Sequence, residues 1–142
     1  MPVVATWKKK EEFEVHFDGG ETVVLAGVPR EERPGPGPSP VDAFQAAVAA
    51  CTGIDVVLIL EKMRQPPERF RIEVSGTRRD EHPRIFTRLV LTYHLDGAGL
   101  TEVAVRRAVT LSQEKYCSVS AMIRPTVELA TRIVLNGEML PG

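Results

Sequence analysis

The stretch SPVDAFQAAVAACTGIDVVLILEKM, residues 39–63, decides the fold class. Ser39, Pro40 and Asp42 match a capping box, in which serine caps a helix, proline takes its first position and an acid follows three residues after the cap. From there to Leu60 the residues are apolar on nearly every face of a helix, so this helix must be covered almost all round. The stretch therefore predicts a long buried central helix that ends just before two consecutive prolines.

Residues before the helix alternate between apolar and polar, as they do in a half-buried strand. Residues 13–17 and 22–26 alternate on either side of Asp18-Gly19-Gly20, whose glycines permit positive φ, and they are predicted to pair as a hairpin. A further strand is predicted around residues 3–7. Residues 28–39 are rich in proline and are predicted to form a loop.

After the helix, the same alternation predicts a second hairpin from residues 70–74 and 85–93 around a polar turn. A second helix is predicted over residues 101–115, and residues 126–135 are predicted to be a last strand, although their mixed period leaves a helix open. This order contains neither regular βαβ alternation nor a repeat, so it predicts an α+β fold in a single domain, residues 1–142. Because one small sheet hides an all-round apolar helix poorly, we also expect a homodimer.

The composition excludes several classes of function. The chain has 43% hydrophobic and 26% charged residues, as ordinary soluble domains do, and a formal net charge of -1. No basic stripe continues beyond Lys8 to Lys10, so nucleic acid and membranes are not expected partners and a small-molecule substrate is expected instead. The first residues lack the features of a signal peptide, which predicts a cytoplasmic protein.

Two cysteines are the residues whose chemistry decides the function. Cys51 lies mid-helix between small residues, and Cys117 lies just past the second helix beside hydroxyl side chains. In a reducing cytoplasm a permanent structural disulfide is not expected, so the two are either inert core residues or redox-active ones. Free cysteine is often a small buried hydrophobe, and spacing alone leaves both interpretations open.

A reactive cysteine must be a thiolate, so it needs a nearby cation or hydrogen-bond donors. Arg30 and Arg33, in the loop before the helix, are candidate cations, and Asp42 or Asp55 could orient a guanidinium. Solvated loop charges and a purely capping role for Asp42 are the alternatives. Asp55, one turn after Cys51, would oppose reactivity if it stood alone. An architectural hydrogen bond is the interpretation we favour for it, and a functional role would require an intervening arginine or hydroxyl.

Metal and nucleotide sites are not indicated. The histidines are scattered, and neither cysteine belongs to a CxxC or HxxxH spacing. The sequence contains no Gly-rich loop that leads from a strand into a helix, as phosphate binding requires. We therefore expect no metal and no nucleotide.

Two motifs together resemble the OsmC-like family of osmotically inducible and organic-hydroperoxide-resistance proteins. The first runs from Ser-Pro-Val-Asp-Ala-Phe to Ala-Ala-Cys-Thr-Gly-Ile-Asp-Val-Val, residues 39–57, and the second is Tyr-Cys-Ser-Val, residues 116–119. The order of elements also agrees over almost the whole chain. The resemblance implies an OsmC-like fold with antiparallel sheets around the central helix. It also implies an intertwined homodimer with two active sites near the subunit interface.

The resemblance further implies that Cys51 is the peroxidatic cysteine and Cys117 the resolving one. A hydroperoxide would oxidise the Cys51 thiolate to a sulfenic acid, and Cys117 would then close a disulfide with it. An external dithiol would reduce that disulfide. No metal or organic cofactor would be needed.

The chain departs from the family pattern in its charged residues. Typical hydroperoxide-reducing members carry a glutamate ten residues before the first cysteine, where this chain has Val41 and the acid follows as Asp42. The hairpin arginine of that branch has no match near Asp18-Gly19-Gly20, so Arg30 or Arg33 is expected to supply the cation. The alternative function is a non-catalytic dimer that binds a small apolar ligand at its interface, with both cysteines as packing residues.

Overall fold

The computed structural model describes residues 2–27 and 35–142. The chain forms two compact units, Met1–Ala46 and Ala47–Gly142. In chain order the elements are β1 (Val4–Lys9), β2 (Glu12–His16), β3 (Thr22–Ala26), α1 (Pro40–Lys62), β4 (Arg69–Arg78), β5 (Phe86–Asp96), α2 (Glu102–Leu111), a π-helical turn (Ser112–Tyr116), α3 (Ser118–Ile123), β6 (Glu128–Leu135) and β7 (Glu138–Met139). Two sheets and a long helix confirm the predicted α+β fold class.

The first unit contains one antiparallel sheet in the order β1-β2-β3. β2 and β3 pair with Val15 opposite Val23, as the alternation of residues 13–17 and 22–26 predicted. The chain reverses between these strands near Gly20, whose φ of +96° lies in the left-handed region that glycine adopts without strain. The predicted first hairpin is therefore confirmed.

Helix α1 starts with the capping box that the sequence predicted. The backbone N–H of Ser39 donates to Oδ2 of Asp42 at 3.1 Å, and the backbone N–H of Asp42 donates to Oγ of Ser39 at 3.0 Å. The two bonds satisfy donors that the first turn of a helix leaves without partners, and such a cap contributes on the order of 1 kcal/mol. The helix begins at Pro40, as predicted, and ends at Lys62.

In the single chain, α1 is buried along one side and not all round. The buried residues recur at four-residue spacing, which marks one stripe of a helix: Val48, Thr52, Val56 and Leu60. Away from that stripe, Ile54 and Leu58 are 61% and 52% exposed. One chain therefore does not provide the predicted cover on nearly every side, because it offers this part of the helix a single sheet face. Among the described residues, α1 is also the one helix whose length and composition would suffice to cross a membrane, a test that core helices pass as well.

The second unit contains a four-stranded sheet in the order β4-β5-β6-β7. β4 and β5 form the predicted second hairpin, with Ile72 opposite Tyr93. β5 and β6 run parallel, with Tyr93 opposite Ile133, so the expectation of antiparallel sheets is wrong for this pair. The reason is the connection. α2, the π-helical turn and α3 carry the chain back along the sheet, and two parallel strands require such a crossover.

One face of β5 forms the core of the second unit. Its inward side chains alternate along the strand and are fully buried: Leu89, Leu91, Tyr93 and Leu95. Burying a leucine stabilises the fold by about 1.5–3 kcal/mol. α1 lies over this face, because Oγ1 of Thr52 is 2.7 Å from the hydroxyl of Tyr93 and a Cβ on Gly53 would come within 3.3 Å of Ile72. This packing fixes the part of α1 that carries the first cysteine.

The end of the chain follows the prediction only in part. The strand predicted over residues 126–135 is confirmed as β6. α2 ends at Leu111 rather than near Lys115, because the chain continues as a π-helical turn. α3 and β7 were not predicted, since elements of six and two residues are too short to reveal a period.

Candidate active site

Cys51 lies on α1 where the helix meets the segment that follows the π-helical turn. Its side chain is half-buried, and its Sγ is 3.9 Å from Oγ of Ser118. The backbone N–H of Val119 and the thiol of Cys117 also donate to the Cys51 sulfur. The fold thus brings together two cysteines that are far apart in the sequence.

The π-helical turn holds Cys117 in place. Its last bond runs from the backbone N–H of Cys117 to the carbonyl of Ser112 at 2.8 Å, one residue further back than in an α-helix. The Cys117 residue is 3% exposed. Its Sγ accepts the backbone N–H of Ser120 at 3.4 Å, so the sulfur caps α3. The second cysteine is therefore buried and held by local bonds.

The surroundings of Cys51 lower the pKa of its thiol below the ordinary value of cysteine. Burial, the largest single influence, raises this pKa, and the charge of Asp55 raises it as well. Hydrogen bonds from the Val119 backbone, from Cys117 and from Ser118 stabilise the thiolate, and their effect on the pKa outweighs both. Cys51 is therefore the cysteine that ionises first.

The pKa of the Cys117 thiol is shifted the other way, above the ordinary value. Burial is the main cause. The bonds that Ser120 makes to the sulfur lower the pKa, whereas the neighbouring Cys51 thiolate raises it further. Cys117 therefore keeps its proton and donates it toward the Cys51 sulfur. The pair combines a nucleophile with an adjacent protonated thiol.

Three buried hydroxyl groups connect α1, β5 and the π-helical turn. Oγ1 of Thr52 lies 2.7 Å from Oη of Tyr93 and 2.7 Å from Oγ of Ser112. All three residues are 0% exposed. Burial raises the pKa of the Tyr93 hydroxyl to about 12, against the opposing effect of its bonds to Thr52 and Gln113, so this phenol stays protonated at neutral pH.

Asp55 and Gln113 lie at the two ends of this chain of hydroxyl groups. Oγ of Ser112 donates to Oδ2 of Asp55 at 2.9 Å. Nε2 of Gln113 donates to Oη of Tyr93 at 3.0 Å and to Oγ1 of Thr52 at 3.2 Å. Asp55 therefore has the architectural hydrogen bond that we favoured for it from the sequence, and its partner is a hydroxyl.

Three residues around the cysteines were missed by the sequence analysis: Ser112, Gln113 and Arg124. Nη2 of Arg124 donates to the carbonyl oxygen and to Oε1 of Gln113, at 2.9 and 3.1 Å. The one available signal was Asp55, because a carboxylate within an apolar helix needs a buried donor. That signal demands a partner without indicating where along the chain the partner lies.

Of the predicted site residues, the structure brings Cys51 and Cys117 close together. Arg30 and Arg33 lie outside the described residues, so the predicted activating cation stays a prediction. Asp42 belongs to the capping box at the start of α1, and its predicted catalytic role also stays a prediction.

These features define a class of α+β proteins in which a long helix carries one cysteine and a later turn brings a second one to it. A family model described as OsmC-like protein matches residues 33–132. The chain therefore belongs to the OsmC-like family, as its two motifs indicated. Some members of this family are organic hydroperoxide resistance proteins.

Individual relatives agree with this assignment. Protein YhfA of Escherichia coli (strain K12) is 42% identical over 92 residues, which make up 65% of this chain and 69% of YhfA. A hypothetical protein from Aquifex aeolicus VF5 with a crystal structure is 29% identical in sequence to this chain. The two structures align with a TM-score of 0.84 over 94% of both chains. The organic hydroperoxide resistance protein OhrB of Bacillus subtilis is 18% identical, with a TM-score of 0.64 over 94% of this chain and 98% of its own. The likeness to OhrB shows the fold alone.

Proposed function

We propose that this protein is a thiol peroxidase that reduces organic hydroperoxides through a sulfenic acid on Cys51 and a disulfide between Cys51 and Cys117. One observation carries the proposal. A cysteine with a lowered pKa lies beside a cysteine with a raised pKa, which is the division of roles that a two-cysteine peroxidase needs. Membership of a family that includes organic hydroperoxide resistance proteins supports the same function.

In the first step, the Cys51 thiolate attacks the terminal oxygen of the hydroperoxide. The O–O bond breaks, the OH group stays on sulfur as a sulfenic acid, and the alkoxide takes up a proton and leaves as an alcohol. The hydrogen bonds from Val119 and Ser118 lower the pKa of Cys51 and so favour the thiolate that this attack requires.

In the second step, the sulfur of Cys117 attacks the oxidised sulfur of Cys51. The S–S bond forms, the S–O bond breaks, and the OH group leaves as water with the proton from Cys117. An external dithiol then reduces the disulfide and returns both thiols, so this cycle uses neither a metal nor an organic cofactor.

The test is the intact mass and free-thiol count of the reduced protein after one equivalent of tert-butyl hydroperoxide. The wild type is expected to lose both thiols and about two hydrogens per chain, as disulfide formation requires. Cys117→Ser is expected to yield a sulfenic acid that dimedone traps, and Cys51→Ser is expected to keep its remaining thiol. Survival of both wild-type thiols in excess peroxide would contradict the proposal.

A homodimer is the assembly that we propose for this function, with a thiol reductant as its other partner and the cytoplasm as its location. The support is the apolar surface of α1, where Ile54 and Leu58 are more than half exposed in one chain. A second copy of α1 would cover this surface. Light scattering after gel filtration is expected to give a dimer for the wild type and a monomer for Leu58→Asp. A monomeric wild type would contradict this assembly.

A second candidate function is a non-catalytic dimer that binds a small apolar ligand. It is favoured by a small cavity of about 130 Å³ along α1, lined by Asp55, Leu58, Ile59, Lys62 and Tyr116. This function predicts thiols that do not react with hydroperoxide and ligand binding that Cys51→Ser leaves unchanged. The mass measurement therefore separates the two candidates.

A further inference from the structure

The hydroxyl groups beside the cysteines form a hydrogen-bonded chain, and the residues at its two ends fix the direction in which each hydroxyl donates. Asp55 can only accept a hydrogen bond through its carboxylate, so the single hydroxyl proton of Ser112 goes to Asp55. Thr52 must then donate to Ser112, and Tyr93 must donate to Thr52. Gln113 supplies its amide protons to Tyr93 and Thr52. Every hydroxyl in the chain is thus satisfied in one arrangement of protons.

The amide of Gln113 is itself oriented from outside this chain. Its Oε1 accepts a hydrogen bond from Arg124, which can only donate, so Nε2 faces the two hydroxyl groups. A reversed chain would leave Asp55 facing an oxygen without a proton. Since leaving a buried polar group without its partner is costly, the observed direction is strongly preferred over the reverse.

Ser112 is the residue at which this chain joins the two cysteine-bearing elements. Its hydroxyl bonds to Thr52 and Asp55, which lie one and four residues after Cys51 on α1. Its carbonyl accepts the backbone N–H of Cys117 at 2.8 Å. One buried residue therefore holds the helix of the first cysteine through its side chain and the second cysteine through its backbone.

We propose that Ser112 is a positioning residue for disulfide closure. Its hydrogen bonds hold the π-helical turn that precedes Cys117 against the helix that carries Cys51, and Asp55 fixes the direction of those bonds. The inference rests on the proposed peroxidase function and deepens its second step. Closure needs the Cys117 sulfur in line with the S–O bond of the oxidised Cys51, and a loosened turn would lower the fraction of time in which it is so placed. Neither Ser112 nor Asp55 exchanges atoms with the substrate.

The experiment follows closure directly. Reduced protein is mixed with diamide, to which the Cys51 thiolate adds, and the Cys117 sulfur then displaces the hydrazine to form the disulfide. Mass spectrometry after rapid acid quenching gives the rate at which the adduct disappears. Diamide needs no peroxidase activity, so a wild type that closes with diamide but ignores hydroperoxide would remove the proposed function and leave the positioning role under test.

Three variants separate positioning from stability. Ser112→Ala is expected to close at least about tenfold more slowly than the wild type. Tyr93→Phe is the matched control, because it removes an equally buried hydroxyl of the same hydrogen-bonded chain that is bonded to Thr52 and Gln113 rather than to Ser112. It is expected to lose thermal stability yet close within about twofold of the wild-type rate.

Asp55→Asn keeps an oxygen that can accept from Ser112 and removes the charge. Closure is expected to stay within about threefold of the wild-type rate, while alkylation of Cys51 shifts to lower pH. The pH shift follows because the charge of Asp55 raises the pKa of Cys51. The pH shift therefore reports the lost charge, and the closure rate reports positioning.

Ser112→Ala closing within about twofold of the wild type would overturn the proposal, as would closure rates that follow the melting temperatures of all three variants. If Ser112→Ala does not fold, Asp55→Ala decides the question, because it removes one of the two bonds between Ser112 and α1. If Asp55→Ala closes more slowly than Tyr93→Phe, the result supports the positioning role of Ser112. Closure at the wild-type rate would overturn that role.

Discussion

Cys51 and Cys117 are residues of the same type placed side by side, and their surroundings make them chemically different. Cys51 is half-buried on α1 and receives hydrogen bonds from Cys117, Ser118 and Val119, whereas Cys117 is 3% exposed and caps α3. Burial raises the pKa of both thiols. The net direction therefore depends on the donors, which together outweigh burial only at Cys51. The comparison teaches that hydrogen bonds from the residues after the π-helical turn lower the pKa of a half-buried thiol, so that Cys51 ionises before its more deeply buried neighbour.

Removing one sulfur at a time separates the two roles most strongly. Cys51→Ser is expected to lower hydroperoxide turnover with excess dithiol by at least about 100-fold, because no thiolate remains at the reacting position. Cys117→Ser is expected to retain the first oxidation and then lose activity with each further addition of peroxide, since its sulfenic acid oxidises further. Equal rates of first oxidation in Cys51→Ser and Cys117→Ser would contradict the assignment of separate roles to the two cysteines.

The two cysteines are also expected to differ in what they contribute to stability. Cys117→Ala removes a buried side chain and the cap of α3, so the free energy of unfolding is expected to fall by about 1–2 kcal/mol. Cys51→Ala is expected to cost less than about half of that, because its side chain is half-buried. Urea unfolding of the reduced proteins measures both values. A larger cost for Cys51→Ala would contradict the structural comparison.

The smallest expected effect comes from one donor to Cys51. Ser118→Ala removes a hydrogen bond that lowers the pKa of Cys51, so the pKa is expected to rise and less thiolate is present at any pH below it. Alkylation of Cys51 at neutral pH is expected to slow by about two- to threefold. Ser75→Ala, an exposed serine on β4, is the control and is expected to have no effect. Faster alkylation in Ser118→Ala would show that the hydroxyl does not stabilise the thiolate.

Structural features whose hydrogen bonds join residues close together in the sequence could be predicted from it. The capping box of Ser39 and Asp42 and the hairpin of residues 12–26 belong to this group, because a serine, a proline and two glycines at fixed positions specify them. The pairing of Cys51 with Cys117 was predicted only through the resemblance to a family, since no local pattern relates these residues.

The rest depends on contacts between distant parts of the chain. The parallel pairing of β5 with β6 follows from the path of the crossover, which the alternation within each strand does not reveal. Ser112 is equally hard to find, because a serine in a predicted helix gives no sign that it will face Asp55 across the core. Asp55 itself was recognisable as a residue that needs a partner, and only the fold could supply the identity of that partner.

The most direct test of the central claim is the pH dependence of alkylation at both cysteines of the reduced wild-type chain, measured by peptide mass after short exposure to iodoacetamide. Cys51 has a lowered pKa and Cys117 a raised one, so labelling of Cys51 should rise and level off at a pH where Cys117 is still almost unlabelled. Labelling of Cys117 first, or of both cysteines with the same midpoint, would contradict the assignment of Cys51 as the nucleophile.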